Sequence, residues 1–151
     1  SVERELFPTL LNRGIPFYAD IHSGYWIDIG TVEKYLRVHS DLMNKMKKNV
    51  LGEKSKIDKK IKIFGRLVMG DNSKIDGDTM ITGNVCIGKD VKIGKNCYLS
   101  DCVILDGSRI DDGARIEESL VGRNCIIEKN VQLHDGCAVG DKTVIKSYSK
   151  L

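Results

Sequence analysis

Among 151 residues, the side chains with most chemistry to offer are three histidines, five cysteines and the carboxylates near them. His134 stands in LHDGCA, and an imidazole, with an ordinary pKa of about 6.5, suits general base catalysis. Asp135 follows it directly, yet neighbours on a strand point to opposite faces, so Asp135 is not placed to orient the ring. A surface histidine is the plainer reading of His134, and His22 and His39 read as surface or packing residues. Cys86, Cys97, Cys102, Cys125 and Cys137 are odd in number and form no C-x-x-C pair, which predicts reduced thiols, neither disulfide-bonded nor holding zinc. No G-x-x-x-x-G-K-[ST] or G-x-G-x-x-G loop is present to cradle phosphates.

The elements that must carry these residues divide the chain in two. Six of the nine aromatic residues (Phe7, Phe17, Tyr18, Tyr25, Trp26 and Tyr35) fall in the first third, whereas most glycines and valines come later. Fifteen Gly against two Pro predicts many regular tight turns. The surplus of 24 basic over 21 acidic residues, +3, is too small to predict nucleic-acid binding. No apolar run reaches the roughly 18 residues of a membrane helix, and no signal-peptide pattern opens the chain, so a cytoplasmic location is expected.

In the first part, Val2, Leu6, Leu10 and Leu11 recur at helical spacing, with Ser1 as cap, Gly14 as stop and Pro8 shortening or kinking the helix. Phe17 to Ile21 reads as a strand. Thr31 reads as the N-cap of a second helix whose apolar face is Val32, Tyr35, Leu36, Leu42, Met43 and Met46. A lysine-rich stretch around residues 45–62 reads as a solvated connector rather than an anion site, with residues 49–56 as the linker proper.

From Ile57 onward an aliphatic residue returns about every six positions, from Ile57, Ile63, Met69 and Ile75 through Leu133, Val139 and Ile145. Only the steps Leu99 to Ile104 and Ile116 to Val121 are five residues. A small or β-branched residue usually follows four places later, among them Cys97, Cys125 and Cys137, which are expected to pack in coil corners. Cys86 and Cys102 fall outside that position and have no assigned role. One hexad cannot bury its aliphatic side chain alone, but three can close a triangular coil, and coils stacked at roughly 4.8 Å place anchor over anchor. The prediction is a mainly β protein, a parallel β-helix of a little over five coils spanning residues 57–151. The segments IGKDVK and IGKNCY resemble the hexapeptide repeat of left-handed β-helix proteins, and the resemblance implies left-handed coiling.

The stretch GYWIDIGTVEKY, Gly24 to Tyr35, resembles a segment near the end of the catalytic domain of sugar-1-phosphate nucleotidyltransferases, as does the preceding ELFPTLLNRGIPFYAD. The resemblance covers roughly Ser1 to Met46 and is greatest to the mannose-1-phosphate guanylyltransferase branch. It implies that residues 1–48 are a short α/β piece of the catalytic domain, and that Asp28 is one of two aspartates binding catalytic Mg²⁺. Oxygen ligands suit that hard cation, which in this family draws an NTP and a sugar 1-phosphate together while pyrophosphate leaves. Trp26 and Tyr25 read as packing residues, Gly30 and Thr31 shape the turn into the helix, and Glu33 favours its positive end. Val32 stands where many relatives have Pro, a small loss.

The family's G-x-G-T-R-L-type nucleotide loop does not occur, so the chain looks like the C-terminal piece of a longer enzyme and is expected to be inactive by itself. Hexapeptide coils also carry acetyl-coenzyme A-dependent acyltransferases that use a histidine base, a reading that would make His134 catalytic. A third reading is a purely structural oligomerisation module. An uncovered end coil offers unpaired backbone groups, and family analogy implies a homo-oligomer, trimer or dimer.

Overall fold

The computed structural model describes residues 1–134 and 136–151. From Val50 onward the backbone winds as a parallel β-solenoid with three columns of stacked anchors. One column runs Ile57, Ile75, Ile93, Ile110, Ile127 and Ile145, and a second runs Ile63, Ile81, Leu99, Ile116 and Leu133. The third runs Leu51, Met69, Ile87, Ile104, Val121 and Val139. The anchors between Met69 and Leu133 are buried to within a few per cent, which is why a strictly repeated single aliphatic suffices for a core. The two five-residue steps leave the stacking intact: a coil takes 18 positions from Ile75 to Ile93 and 17 from Ile93 to Ile110.

The corners explain the rest of the repeat. Asn72, Asp90, Asn96, Asn124 and Asn130 all sit at φ between 54° and 58°, a left-handed conformation that Asn and Asp tolerate better than other residues with a Cβ. The small position faces inward. Ser73 donates to the Gly88 carbonyl at 2.7 Å and accepts from Val91 N at 2.9 Å, so a buried hydroxyl ties one coil to the next. Thr79 and Ser108 repeat this bridge. Cys97, stacked on Thr79, and Cys125, stacked on Ser108, take this small position at two different corners, buried as expected, whereas Cys137 near the end is only half-buried.

Cys102 is a corner residue too. It is wholly buried, as is Ser119, and both stand two places before the next anchor, where the five-residue steps have moved the small position. Counting back from Ile104 and Val121, rather than forward from Leu99 and Ile116, would have found them.

Two expectations differ from the structure. Val50–Leu51 pairs in parallel with Val68 and Met69, and Lys56–Ile57 with Lys74 and Ile75, so coil pairing already runs through the segment read as a linker. Its lysines point outward while Leu51 and Ile57 keep the anchor register. Phe17 to Ile21 forms no strand, because none of its backbone groups meets a partner strand among the described residues.

Ahead of the solenoid, a π-wound turn at Val2–Leu6, capped by Ser1, runs into helix α1, Phe7–Asn12, and Gly14 follows at φ 62°. Helix α2, Val32–Met43, starts at Thr31, whose hydroxyl accepts from Lys34 N at 3.3 Å. It docks on the solenoid through Met43, which is 3% exposed, and through Asn84, whose amide donates to Ser40 Oγ at 2.9 Å and Asn44 Oδ1 at 3.2 Å. No helix among the described residues is long and apolar enough to cross a membrane.

Candidate functional site

The segment holding Asp28 is extended and leads into α2. Tyr25 fastens it there: its hydroxyl donates to Asp41 Oδ2 at 2.7 Å, and the Lys45 ammonium lies 4.9 Å from its ring centre. That hydrogen bond to Asp41 pushes the Tyr25 hydroxyl above its ordinary pKa. Tyr25 is therefore a structural strut. Trp26 is 79% exposed and packs on little. Asp28 lines an open groove of about 290 Å³ with Tyr25, Trp26, Lys34, Arg37 and Asp41.

The Asp28 carboxylate stands 4.0 Å from the Lys34 ammonium on the first turn of α2. Magnesium prefers six oxygens at close range, commonly one or two carboxylates with waters and substrate phosphates. The residues present do not fit a complete Mg²⁺ site: Asp28 faces a cation, and among the described residues no three His, Cys, Asp or Glu side chains cluster to hold a metal. Arg37 Nε in turn lies 3.8 Å from Asp41 Oδ2, so the two cations of the groove each face one of its two carboxylates.

His134 sits in the penultimate coil, one residue past the Leu133 anchor. Its Nδ1 lies 3.0 Å from Oε1 of Glu117, one coil below, and Glu117 is also held by Nε and a terminal nitrogen of Arg115. The Arg115 guanidinium lies 4.2 Å over the Tyr98 ring. Arg115, then burial acting the other way, sets the Glu117 carboxyl below its ordinary pKa, with His134 adding to the lowering. His134 is thus oriented by a carboxylate on the stacked coil, while Asp135 lies outside the described residues. The signal for Glu117 was the 17-residue coil spacing, 134 − 117 = 17.

Four of the thiols are made poor nucleophiles by their surroundings. Burial pushes Cys97 up to about 11 and Cys102 higher still, and raises Cys86 and Cys137. Cys97 Sγ and Cys125 Sγ donate to the carbonyls of Asp111 and Gly140, as packing residues would.

Comparison with known proteins accords with this geometry. The chain is 34% identical to the mannose-1-phosphate guanyltransferase of Schizosaccharomyces pombe over 96% of its own length and 39% of that protein's. It is 24% identical to a glucose-1-phosphate adenylyltransferase of Desulfitobacterium hafniense, over 98% of the chain and 35% of the relative. With a UTP–glucose-1-phosphate uridylyltransferase of Synechocystis it shares 31% identity over 81% of the chain and 35% of the relative. The chain therefore spans less than half the length of these curated relatives. Among solved structures, the acetyltransferase domain of PglB from Neisseria gonorrhoeae superimposes with a TM-score of 0.67 at 15% identity, covering 80% of this chain and 61% of that one, a likeness of fold. Residues 63–150, more than half of the chain, match the family described as the GMPPB C-terminal domain, and the solenoid they form, with its in-register anchors, makes this chain a member of that family.

Proposed function

We propose that this chain is the C-terminal part of a sugar-1-phosphate nucleotidyltransferase. In that enzyme a phosphate oxygen of the sugar 1-phosphate attacks the α-phosphorus of an NTP, the bond to the β-phosphate oxygen breaks, and pyrophosphate leaves with that oxygen. The observation that carries the reading is the state of the first segment. It holds GYWIDIGTVEKY and many large apolar side chains, yet no residue before Met43 is buried. Phe17, Tyr18, Ile21 and Trp26 are side chains of a core whose other side is contributed by more polypeptide. Asp28 supplies one of the two carboxylates for Mg²⁺ in the assembled enzyme. Mannose 1-phosphate and GTP are the preferred substrates, on the strength of the family matched and the Schizosaccharomyces pombe relative. The solenoid serves assembly into a trimer or dimer, or regulation, and the enzyme works in the cytoplasm.

The test is to read the codons upstream of Ser1, express the whole open reading frame and measure pyrophosphate release. GTP with mannose 1-phosphate is expected to turn over faster than ATP or UTP with glucose 1-phosphate, and the 151-residue chain alone is expected to release none. Absence of a G-x-G-T-R-L-type loop upstream, or turnover by the isolated chain, overturns the reading.

The Glu117–His134 contact favours one second reading, acyl transfer from acetyl-coenzyme A with His134 as base. An acetyl-transfer activity lost in His134→Ala would support it, and no activity with the intact chain would remove it.

A further inference from the structure

Among residues 1–48 only Met43 is buried, so apolar packing alone does not fix how α2 lies on the solenoid. Asn84 supplies the rest of the hold. Its Nδ2 donates to Ser40 Oγ at 2.9 Å and to Asn44 Oδ1 at 3.2 Å, one helical turn apart, and Asn44 Nδ2 in turn donates to Ser40 Oγ at 3.4 Å. A side-chain amide carries two N–H donors on one nitrogen and can meet two acceptors at once, which a hydroxyl cannot. Asn84 is itself anchored, its backbone N–H donating to Asp101 Oδ1 in the next coil at 2.9 Å. This hold sits at the C-terminal end of α2. Toward the other end, a cleft of about 240 Å³ lies between Glu33, Leu36 and Arg37 of the helix and Asp101, Val103 and Glu118 of the solenoid.

We infer that Asn84 is a positioning residue that sets, from the solenoid and through α2, where the Asp28 carboxylate lies. The relay continues from Ser40 to its neighbour Asp41, whose Oδ2 accepts from the Tyr25 hydroxyl at 2.7 Å, three residues before Asp28 in the chain. The Lys34 ammonium, on the first turn of the same helix, lies 4.0 Å from Asp28, so the Asp28 segment is attached to α2 at both of these points. A helix pinned near one end pivots about the pin. From Asn44 back to Lys34 is about 15 Å along the axis, so a tilt of about 5° moves the first turn by about 1 Å. A misplacement of about 1 Å in an active site can cost about 10²-fold in rate. The inference rests on the nucleotidyl-transfer reading for its effect on turnover, and on the hydrogen bonds alone for the relay.

Trp26, the only tryptophan in the sequence, adjoins Tyr25 and reports on the segment without a label. Time-resolved fluorescence anisotropy of the 151-residue chain tests the relay. The amplitude of nanosecond motion at Trp26 is expected to rise at least about twofold in Tyr25→Phe, in Asn84→Ala, and in Ser40→Ala with Asn44→Ala, the last leaving the solenoid sequence untouched. Adding Asn84→Ala to Tyr25→Phe is expected to change nothing further, whereas independent effects would add. Circular dichroism of each variant checks that the solenoid is folded. In the enzyme expressed from the whole open reading frame, Asn84→Ala is expected to lower kcat for pyrophosphate release at least about fivefold with both KM values unchanged, a split that a loss of folded protein with intact binding sites would not mimic once active-site concentration is measured. Unchanged Trp26 motion in Asn84→Ala, or a further rise when it is added to Tyr25→Phe, overturns the relay. An unchanged kcat in an active enzyme overturns the positioning role. No pyrophosphate release by the unaltered enzyme overturns nucleotidyl transfer instead, while Trp26 still decides the relay.

Discussion

Residues 1–31 and the solenoid are equally rich in apolar side chains and bury them to opposite extents. In the first segment Tyr18 is 93% exposed, and the Phe7–Phe17 ring stack, with centroids 5.6 Å apart, is a purely local contact. In the solenoid, Ile81, Leu99 and Ile116 are fully buried in one column although each belongs to a different coil. Hydrophobic content therefore does not distinguish the two regions; what does is whether the backbone returns to the same place every 17 or 18 residues. A repeat supplies its own partners, whereas a helix and an extended segment need partners from elsewhere.

The contrast can be broken by truncation. Ile116→Ala removes a buried anchor between two stacked neighbours and is expected to cost about 2–5 kcal/mol in urea unfolding, while Trp26→Ala is expected to stay within about 0.5 kcal/mol. Equal losses would mean that the first segment is packed after all. Smaller, but still confined to the solenoid, is the effect of Gly83→Ala. Gly83 has φ 60°, and an added Cβ would run into the Asp101 carboxylate, so a cost of about 1–3 kcal/mol is expected, against none for Gly30→Ala, where the nearest atom lies 3.7 Å away. Next comes Ser73→Ala, which strands Val91 N and the Gly88 carbonyl in a buried corner and is expected to lower stability by about 1–2 kcal/mol.

Thiol chemistry sharpens the comparison within the solenoid. Cys137 is half-buried near the last coil and is expected to react with a thiol reagent before Cys97 or Cys102, which should wait for unfolding. The smallest effect is on pH dependence. The Glu117 carboxyl is held low by Arg115 and His134, so its contribution is present above the ordinary glutamate value of 4.5 and is lost as the pH falls through its lower folded value. Glu117→Gln should lower the urea midpoint slightly near pH 7 and flatten its fall between about pH 5 and about pH 3, where variant and parent converge. An unchanged acid slope would remove Glu117 from the pairing.

Much of this molecule is visible in one dimension. Anchors every five or six residues, Asn or Asp at the left-handed corners and small residues at the inward corners are local requirements of a stacked coil, and each leaves a residue type behind. The cap at Thr31 and the stop at Gly14 follow the same logic. Glu117 beside His134, Cys102 in a corner and the pairing of Val50 with Val68 were harder to see, because each depends on counting through a coil rather than along a strand. Asp28 was found through its motif alone, and the structure sets the Lys34 ammonium 4.0 Å from its carboxylate.

Periodicity thus specified the coil, its core and its corners, since stacking like on like needs nothing beyond the repeat. Which outward residues share a face, that α2 lies against Asn84, and that Lys74, Lys92 and Arg109 stack one above another arose only when the coils were stacked. Outward side chains satisfy no packing rule of their own, so their neighbours are set by the register that the buried anchors impose.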